Sequence, residues 1–291
     1  VYSYDPDRTR AQFNFANFEH QRITIRPAIP RLLGFWPWAW RRDKLDVLIT
    51  QYIAPPFFPG RQFVVIHDVL FESHPGMFPT AQRLRLKLLC GLSARLATTI
   101  FTVSDYSARE IASRYRIPPD RIRLTRDGIA VLPQPDDASV RLASDLRPFL
   151  LCVGRLEPRK NIALALAAST TARARGTRLV VVGREDFRAS DLAGTLARSP
   201  NVVHLRDVSP GLLAALYSHA TAFLYPSLAE GFGIPVLEAL ASGTPVLASD
   251  RSAIPEAGGT LAHYFNPEAP DAVTILAALI DRAETDMPRP T

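Results

Sequence analysis

The sequence predicts an α/β fold built on parallel β-sheets. In its second half, short apolar runs alternate with stretches of helical periodicity, which is the pattern of strands buried between helices. Several of these runs end directly at a turn residue, as at Gly154, Gly183 and Pro226. Ligands of open α/β sheets bind beyond the carboxyl ends of the strands, so these turns mark the edge where we expect a functional site.

The strands and helices of the second half are the clearest. We expect strands at Phe149 to Val153, Leu179 to Val182, Val202 to Leu205, Ala222 to Tyr225 and Pro245 to Ala248. Helical patterns fill the gaps at Asn161 to Arg175, Pro210 to His219 and Pro235 to Ser242. This alternation predicts a parallel sheet covered by helices.

The first half has a weaker version of the same alternation. Candidate strands are Ile23 to Arg26, Val47 to Ile49, Phe63 to Ile66 and Thr99 to Val103, with helices from about Thr80 to Ala97 and from Ser107 to Tyr115. A polar, proline-bearing segment follows, so the domain boundary is expected near 131–147. Because 291 residues are many for a single core, we expect two domains, residues 1–140 and 141–291.

The composition is that of a globular protein, 47% hydrophobic and 21% charged. No run of about 18 uncharged apolar residues is present, so no bilayer-spanning helix is expected. The first residues lack both a signal-peptide pattern and an initiating Met, and we expect the natural chain to begin earlier. Cys90 and Cys152 lie far apart in apolar sequence, which favours neither a metal site nor a disulfide framework and indicates a reducing cytoplasm.

The net charge of +6 and the pI of 9.6 raise the question of nucleic-acid binding. The arginines are scattered, and no zinc, homeodomain or RNP-type motif accompanies them, which argues against that class. An acidic small ligand or an anionic membrane surface explains the charge equally well.

Two glutamates, Glu230 and Glu238, flank a glycine-rich turn that opens a short helix. An ionised carboxylate offers only acceptors, which suits the hydroxyl groups of sugars. One carboxylate before the turn and one inside the helix can hold two hydroxyl-bearing groups around one phosphate. The arrangement indicates a nucleotide-sugar site, which the backbone at Gly231 and Gly233 can approach closely.

The start of this helix also favours a phosphate. Pro235 suits the first helical turn, and Gly243 suits the position just after the last one. We expect the N–H groups of Val236 and Leu237 to be unpaired and to point out of the helix, where they and the helix dipole attract an anion.

A second candidate segment follows the strand that ends at Val153. In it, Arg155 and Lys160 are expected at the ligand end of the sheet, and Lys160 is one of few lysines in a chain that otherwise uses arginine. A compact ammonium group suits a diphosphate that an arginine fork grips from another side. The alternative is that both are solvated charges around a helix start.

Together, residues 225–243 and 154–161 resemble the retaining group-1 glycosyltransferases of the GT-B fold, most closely their bacterial mannosyltransferase-like members. Segments 65–75, 103–107 and 252–259 support the resemblance. It implies an α/β architecture of two Rossmann-like domains that face an interdomain cleft.

The resemblance also implies roles for the candidate residues. Glu238 would bind the ribose hydroxyls of the nucleotide, and Glu230 would contact the donor sugar. Arg155 and Lys160 would neutralise the diphosphate as the leaving group gains charge, which stabilises the transition state. Further donor contacts are expected from Gly154, Gly231, Phe232, Gly233, Val236 and Leu237. No metal and no cofactor other than the donor substrate is implied.

His67 follows the strand Phe63 to Ile66, and the resemblance implies a contact with the donor sugar or the acceptor near the reacting carbon. A structural hydrogen-bonding role is the alternative, because a histidine at a strand end most often has one. Ser104 and Ser107 are expected to cap the following helix rather than to bind substrate.

Trp36, Trp38 and Trp40 precede a basic cluster. Aromatic rings beside cations suit a membrane interface, where a lipid-linked acceptor would be found. We favour the alternative, in which the three rings pack under the N-terminal sheet.

The chain departs from the family at both ends. Near its start it lacks the glycine-rich loop that approaches donor phosphates and acceptor, so the N-terminal domain is expected to be incomplete. It also stops before the helix that commonly crosses back to the first domain. Either a fragment or a reduced family member is expected.

The sequence therefore predicts a retaining glycosyltransferase that moves a hexose, with mannose favoured, from a nucleoside diphosphate sugar such as GDP-mannose to a glycan or lipid-linked acceptor. It is expected in the cytoplasm, with peripheral contact at the inner face of the membrane as a further possibility. A non-catalytic nucleotide-sugar-binding protein is the alternative. A phosphorylase or epimerase is less favoured, because no signature of those enzymes stands out.

Overall fold

The structure is a computed structural model that describes residues 1–12, 17–172, 176–186, 190–285 and 287–290. It contains two compact units, one formed by residues 1–66 and 85–101 and the other by residues 67–84 and 102–291. The strands of the main sheets pair in parallel, which confirms the predicted α/β class. The predicted domain boundary at residue 140 stays a prediction.

The second unit contains a sheet of six parallel strands. Their order across the sheet is His263–Phe265, Val246–Ser249, Ala222–Tyr225, Phe149–Val153, Arg178–Val182 and Val202–Leu205. The first of these strands in the chain, Phe149–Val153, therefore lies centrally, and the order reverses between it and Ala222–Tyr225. Such a switch point opens a crevice at the carboxyl ends of the two strands, where ligands of doubly wound sheets bind.

Helices cover both faces of this sheet, because its strands are apolar on both sides. Phe149 and Leu151 belong to one buried cluster, and Leu150 and Cys152 belong to the other. The α-helices of the unit are Leu70–Ser73, Asp105–Tyr115, Asp137–Asp145, Ile162–Thr171, Ser190–Arg198, Pro210–His219, Ile234–Ala241, Ile254–Gly258 and Ala272–Thr285. Short 3₁₀ turns lie at Pro75–Met77, Pro119–Arg121 and Pro158–Lys160, and a strand lies at Ile122–Leu124.

In the first unit, the strands Val47–Gln51 and Arg61–Val65 pair in parallel with each other, and Arg61–Val65 pairs in parallel with residues 99–101 of the strand Thr99–Thr102. Its other elements are the strands Tyr2–Ser3 and Gln21–Arg22, the helices Pro6–Gln12, Ala28–Pro30 and Trp36–Asp43, the π-helical turn Arg31–Phe35, and most of the helix Thr80–Leu96. Trp36 is buried with Leu48 and Phe58, so the packing interpretation is confirmed for this ring. Trp38 is half exposed and lies under the guanidinium of Arg42, 4.2 Å from its ring centre.

Most predicted elements are confirmed to within two residues at each end. The strand predicted at Ile23 to Arg26 is wrong. The strand in this region is Gln21–Arg22. It is only two residues long because its partner strand, Tyr2–Ser3, offers only two residues for pairing. The helix predicted at Asn161 to Arg175 ends at Thr171, because Ala172 leaves the helical region, and Arg175 lies outside the described residues.

The helix Asp137–Asp145 lies in the segment where the sequence predicts a linker. Asp136 caps it by accepting a hydrogen bond from the Ser139 N–H at 2.8 Å, and Ala143 is fully buried in the core of the second unit. Within the described ranges, no helix is long and apolar enough to cross a membrane.

Candidate active site

The strand Phe149–Val153 leads into residues 154–161, here called the cation turn. Gly154 adopts a φ of +144°, and a Cβ atom placed on it would lie 3.1 Å from Cε of Lys160. The absence of a side chain at Gly154 therefore lets Lys160 fold back against the strand end. A 3₁₀ turn, Pro158–Lys160, puts Arg159 and Lys160 next to each other before the helix Ile162–Thr171 begins.

The neighbouring strand Ala222–Tyr225 leads into residues 226–233, here called the glutamate loop. The Leu228 N–H donates to the Arg159 carbonyl at 2.8 Å and so joins this loop to the cation turn. The Glu230 N–H donates to Oγ of Ser252 at 2.8 Å. The two loops follow the strands on either side of the switch point, which is where the sheet order places a ligand.

Glu230 lies at the centre of a buried ionic cluster. Its side chain is only 9% exposed, and its Oε1 is 2.7 Å from Nζ of Lys160, whose side chain is equally buried. The Arg159 guanidinium donates to the other oxygen, Oε2. On its far side Arg159 donates from Nε to Glu157 at 2.8 Å. Lys160 also donates to the Tyr225 hydroxyl at 3.1 Å.

Burial and pairing act in opposite directions on these charges. Burial raises the pKa of Glu230, but Lys160 and Arg159 outweigh it and hold the pKa below its usual value. Burial lowers the pKa of Lys160, and Glu230 acts against this lowering. Burial likewise lowers the pKa of Arg159, but Glu230 and Glu157 outweigh it and raise the pKa. The carboxylate is therefore ionised because the two cations are present.

Glu238 lies in a different environment, on the helix Ile234–Ala241. It accepts a hydrogen bond from the hydroxyl of the fully buried Tyr217 at 2.9 Å. Burial, with a contribution from Glu238, raises the pKa of Tyr217 well above its usual value, so the hydroxyl keeps its proton and orients the carboxylate. Glu238 also lines a groove of about 470 Å³, together with residues 129–135 and Ala214, Ser218, Ala241 and Ser242.

The helix Ile234–Ala241 begins one residue before the predicted start, after Gly233 at a φ of +128°. The prediction that the N–H groups of Val236 and Leu237 are unpaired is wrong. Both donate to the Gly233 carbonyl, at 2.9 and 3.4 Å, because the helix already includes that carbonyl as an acceptor. Their proposed contact with the donor stays a prediction.

Gly231 is surrounded by neighbours from elsewhere in the unit. Its carbonyl accepts hydrogen bonds from the hydroxyls of Ser104, at 2.7 Å, and Ser107, at 3.3 Å. A Cβ atom placed on Gly231 would lie 3.0 Å from the side chain of Asp68 and 3.3 Å from the carbonyl of His67. Ser104 also accepts from the Ser107 N–H at 3.0 Å, which confirms the predicted helix cap for Ser104, whereas Ser107 lies inside the helix and is not a cap.

The other predicted residues take varied positions. The side chain of Arg155 is 64% exposed, with its guanidinium 3.8 Å from Glu157 and 3.7 Å from Asp186. Phe232 is buried in the core of the second unit. The His67 backbone lies against Gly231, and its carbonyl accepts from Oγ1 of Thr102 at 3.4 Å. The structure thus brings together Lys160, Glu230 and the backbone of His67, while Arg155 lies towards solvent.

Two residues of this region were missed by the sequence reasoning. Arg159 is one of them, and the sequence signal for it is its place beside Lys160 in a short turn. Asp68, directly after His67, is half-buried and accepts from the Leu70 N–H at 3.0 Å. Burial raises the pKa of Asp68, and the nearby Glu230 acts in the same direction.

In the part of the chain that the structure describes, no three His, Cys, Asp or Glu side chains are grouped so as to hold a metal ion. The expectation that no metal takes part stays a prediction.

Residues 134–288 match the family model described as glycosyl transferases group 1. The O-antigen chain mannosyltransferase RfbU of Salmonella typhimurium is 29% identical over 228 residues, which cover 78% of this chain and 62% of that protein. The O-antigen chain mannosyltransferase B of Escherichia coli is 30% identical over 84% of this chain and 68% of its own length.

Among solved structures, HepE of Anabaena in complex with UDP and glucose matches with a TM-score of 0.75 at 17% identity, over 98% of this chain and 82% of that one. This likeness confirms the predicted GT-B fold. The chain spans about two thirds of the length of the two mannosyltransferases that it matches. The family model covers more than half of the chain, and the site of this chain contains Glu230, Glu238 and Lys160, on which the resemblance rests. The protein therefore belongs to the group 1 glycosyl transferases.

Proposed function

We propose that the protein transfers a hexose, with mannose as the favoured sugar, from a nucleoside diphosphate sugar to a glycan or lipid-linked acceptor with retention of configuration. Family membership and the two mannosyltransferase relatives support this proposal. The neighbour HepE, whose structure holds UDP and glucose, supports a nucleotide-sugar donor.

The observation that carries the proposal is the buried Glu230 carboxylate, held by Lys160 and Arg159 at the switch point of the sheet. An ionised carboxylate in a dry site accepts strongly from sugar hydroxyls. The Lys160 ammonium lies beside it, where it can meet the diphosphate of the same donor. As the sugar leaves, negative charge grows on the diphosphate, and a preorganised cation stabilises the transition state more than the ground state.

The nucleoside is proposed to bind towards Glu238 and the groove that it lines. Tyr217 holds the Glu238 carboxylate from one side, which leaves acceptor capacity for the ribose hydroxyls. Arg155, the exposed arginine of the cation turn, is the proposed second contact of the diphosphate. The two cysteines are free and buried, which fits a reducing compartment such as the cytoplasm.

The test uses the full-length protein with isotope-labelled GDP-mannose, and in parallel UDP-, ADP- and dTDP-sugars, incubated with lipid-linked and glycan acceptors. We expect transfer from one donor, and a loss of about 100-fold or more in kcat for Glu230→Ala. Glu110→Ala is the matched control, because Glu110 forms a surface pair with Arg114 on a helix.

Tight donor binding without transfer, measured by calorimetry, would favour the alternative of a non-catalytic nucleotide-sugar-binding protein. If the wild type neither transfers nor binds any of these donors, or if Glu230→Ala transfers as well as the wild type, the proposal is wrong.

A further inference from the structure

The two cations of the buried cluster are held in different ways. Arg159 makes three contacts in its plane, since it donates to Glu157 on one side and to Glu230 and the Ala229 carbonyl, 3.3 Å away, on the other. A guanidinium fork that is fixed at both edges has little freedom to turn. Lys160 instead offers a compact ammonium on a flexible stem, in contact with Glu230 and the Tyr225 hydroxyl.

This difference matters when a diphosphate approaches. A phosphate attracts the ammonium of Lys160, and any shift of that group towards the phosphate takes a counter-charge away from Glu230. A buried carboxylate without a cation is costly and takes up a proton. A protonated Glu230 would no longer be a pure acceptor for sugar hydroxyls.

We propose that Arg159 is a positioning residue that keeps the Glu230 carboxylate ionised and oriented while Lys160 serves the donor phosphate. The proposal rests on the proposed function, because it assigns a division of labour within the same site. Glu157 anchors the far edge of Arg159, so that Glu157 and Arg159 together fix the position of the Glu230 carboxylate.

The remaining charged and titratable groups around Glu230 increase the dependence of its carboxylate on the positive charge of Arg159. Asp68 faces the cluster with a charge of the same sign, and the two carboxyl groups disfavour each other's ionised forms. Tyr225 is fully buried and keeps its proton, since burial and Glu230 raise its pKa. With Lys160 drawn to a phosphate, Arg159 is therefore the cation that balances Glu230.

The experiment compares the wild type with Arg159→Met, which removes the charge, and Arg159→Lys, which keeps the charge but loses the fork. Arg178→Met is the control, since Arg178 lies at the opposite end of its strand from the Gly183 turn and donates to the carbonyls of Asp145 and Leu146. The carboxyl ¹³C shift of Glu230 is followed by NMR against pH, with and without saturating GDP. The pH profile of kcat/KM is measured in parallel.

In the wild type, GDP is expected to leave the titration of Glu230 nearly unchanged. In Arg159→Met the titration should move to higher pH, and GDP should move it further, by about one pH unit or more. The acid limb of the kcat/KM profile should shift in the same direction, so that activity lost about 10-fold near pH 6 recovers in part near pH 8.5. For Arg159→Lys, we expect a Glu230 titration and an acid limb between those of the wild type and Arg159→Met. For Arg178→Met, we expect both to match the wild type.

A purely structural role for Arg159 predicts a different result, in which Arg159→Met lowers the rate equally at all pH values and the Glu230 titration stays in place. That result would overturn the proposal. If the wild type transfers no sugar, the proposed function fails, but the NMR titration still decides the role of Arg159. If Arg159→Met does not fold, Arg159→Lys and Arg159→Gln carry the same comparison.

Discussion

At the residue scale, the carboxylates of the site differ because their neighbours differ. Glu230 is buried between two cations, which favour its ionised form. Asp68 lies beside Glu230, and burial together with that negative charge disfavours its ionised form and raises its pKa. Glu238 is oriented by a neutral tyrosine hydroxyl. Sequence spacing predicted the two glutamates but could not predict these environments, because each depends on which side chains the fold brings next to them.

Asp68 provides a prediction about stability. Its folded-state pKa is raised, so the folded protein binds more protons than the unfolded chain, and stability falls as pH rises through the interval between the ordinary and the raised value. Above this interval the ionised Asp68 is destabilising, and Asp68→Asn should raise the thermal midpoint there by a few degrees. The substitution keeps the hydrogen bond from the Leu70 N–H, because the side chains of aspartate and asparagine both have an Oδ1 atom that can accept it.

The measurement is the thermal midpoint at pH 7 and near pH 5. We expect the advantage of Asp68→Asn to shrink at the lower pH, where the wild-type carboxyl takes up a proton. Asp207→Asn is the control, because Asp207 is 68% exposed in a surface pair with Arg184. An Asp68→Asn variant that is less stable than the wild type at pH 7 would contradict this account.

At the element scale, the sequence predicted what depends on long apolar runs and missed what depends on tertiary contacts. Strands such as Phe149–Val153 were predicted correctly because both of their faces are buried and the runs are continuous. The helix Asp137–Asp145 was missed because it lies in a polar segment and its place is secured by packing against Pro210–His219. The position of Arg159 beside Lys160 was visible in the sequence, but its contact with Glu230 was not, because the 3₁₀ turn that directs the side chain leaves no periodic signal.

Gly231 provides the prediction at this scale. A Cβ atom at this position would press on the Asp68 side chain and the His67 carbonyl, while the Gly231 carbonyl is held by two serine hydroxyls. The glutamate loop must therefore shift in Gly231→Ala, and Glu230 with it. We expect a loss of about 10-fold or more in kcat/KM, since small displacements of positioned groups are costly to catalysis.

The control for this substitution is Gly76→Ala, because a Cβ atom at Gly76 would meet nothing within 4 Å. Steady-state kinetics of both variants, with circular dichroism to check folding, make the comparison. If Gly231→Ala and Gly76→Ala have equal activity, the glutamate loop is not held as described.

At the scale of the whole molecule, sheet order determines where the site lies. The reversal between Phe149–Val153 and Ala222–Tyr225 brings the cation turn and the glutamate loop together. In the sequence, 64 residues separate the end of the cation turn at 161 from the start of the glutamate loop at 226. The sequence predicted both segments and their shared edge of the sheet. It could not predict the ionic contacts that join them, since these depend on side-chain geometry at the switch point.

The central claim is that Lys160 and Glu230 form the donor end of a retaining glycosyl transfer. The measurement that tests it most directly is NMR analysis of the product formed from an α-linked nucleoside diphosphate sugar by the wild type and by Lys160→Met. We predict an α-linked product from the wild type, and a loss of about 100- to 1,000-fold in kcat for Lys160→Met, because the diphosphate loses its preorganised cation. A β-linked product, or a Lys160→Met variant as active as the wild type, would contradict the claim.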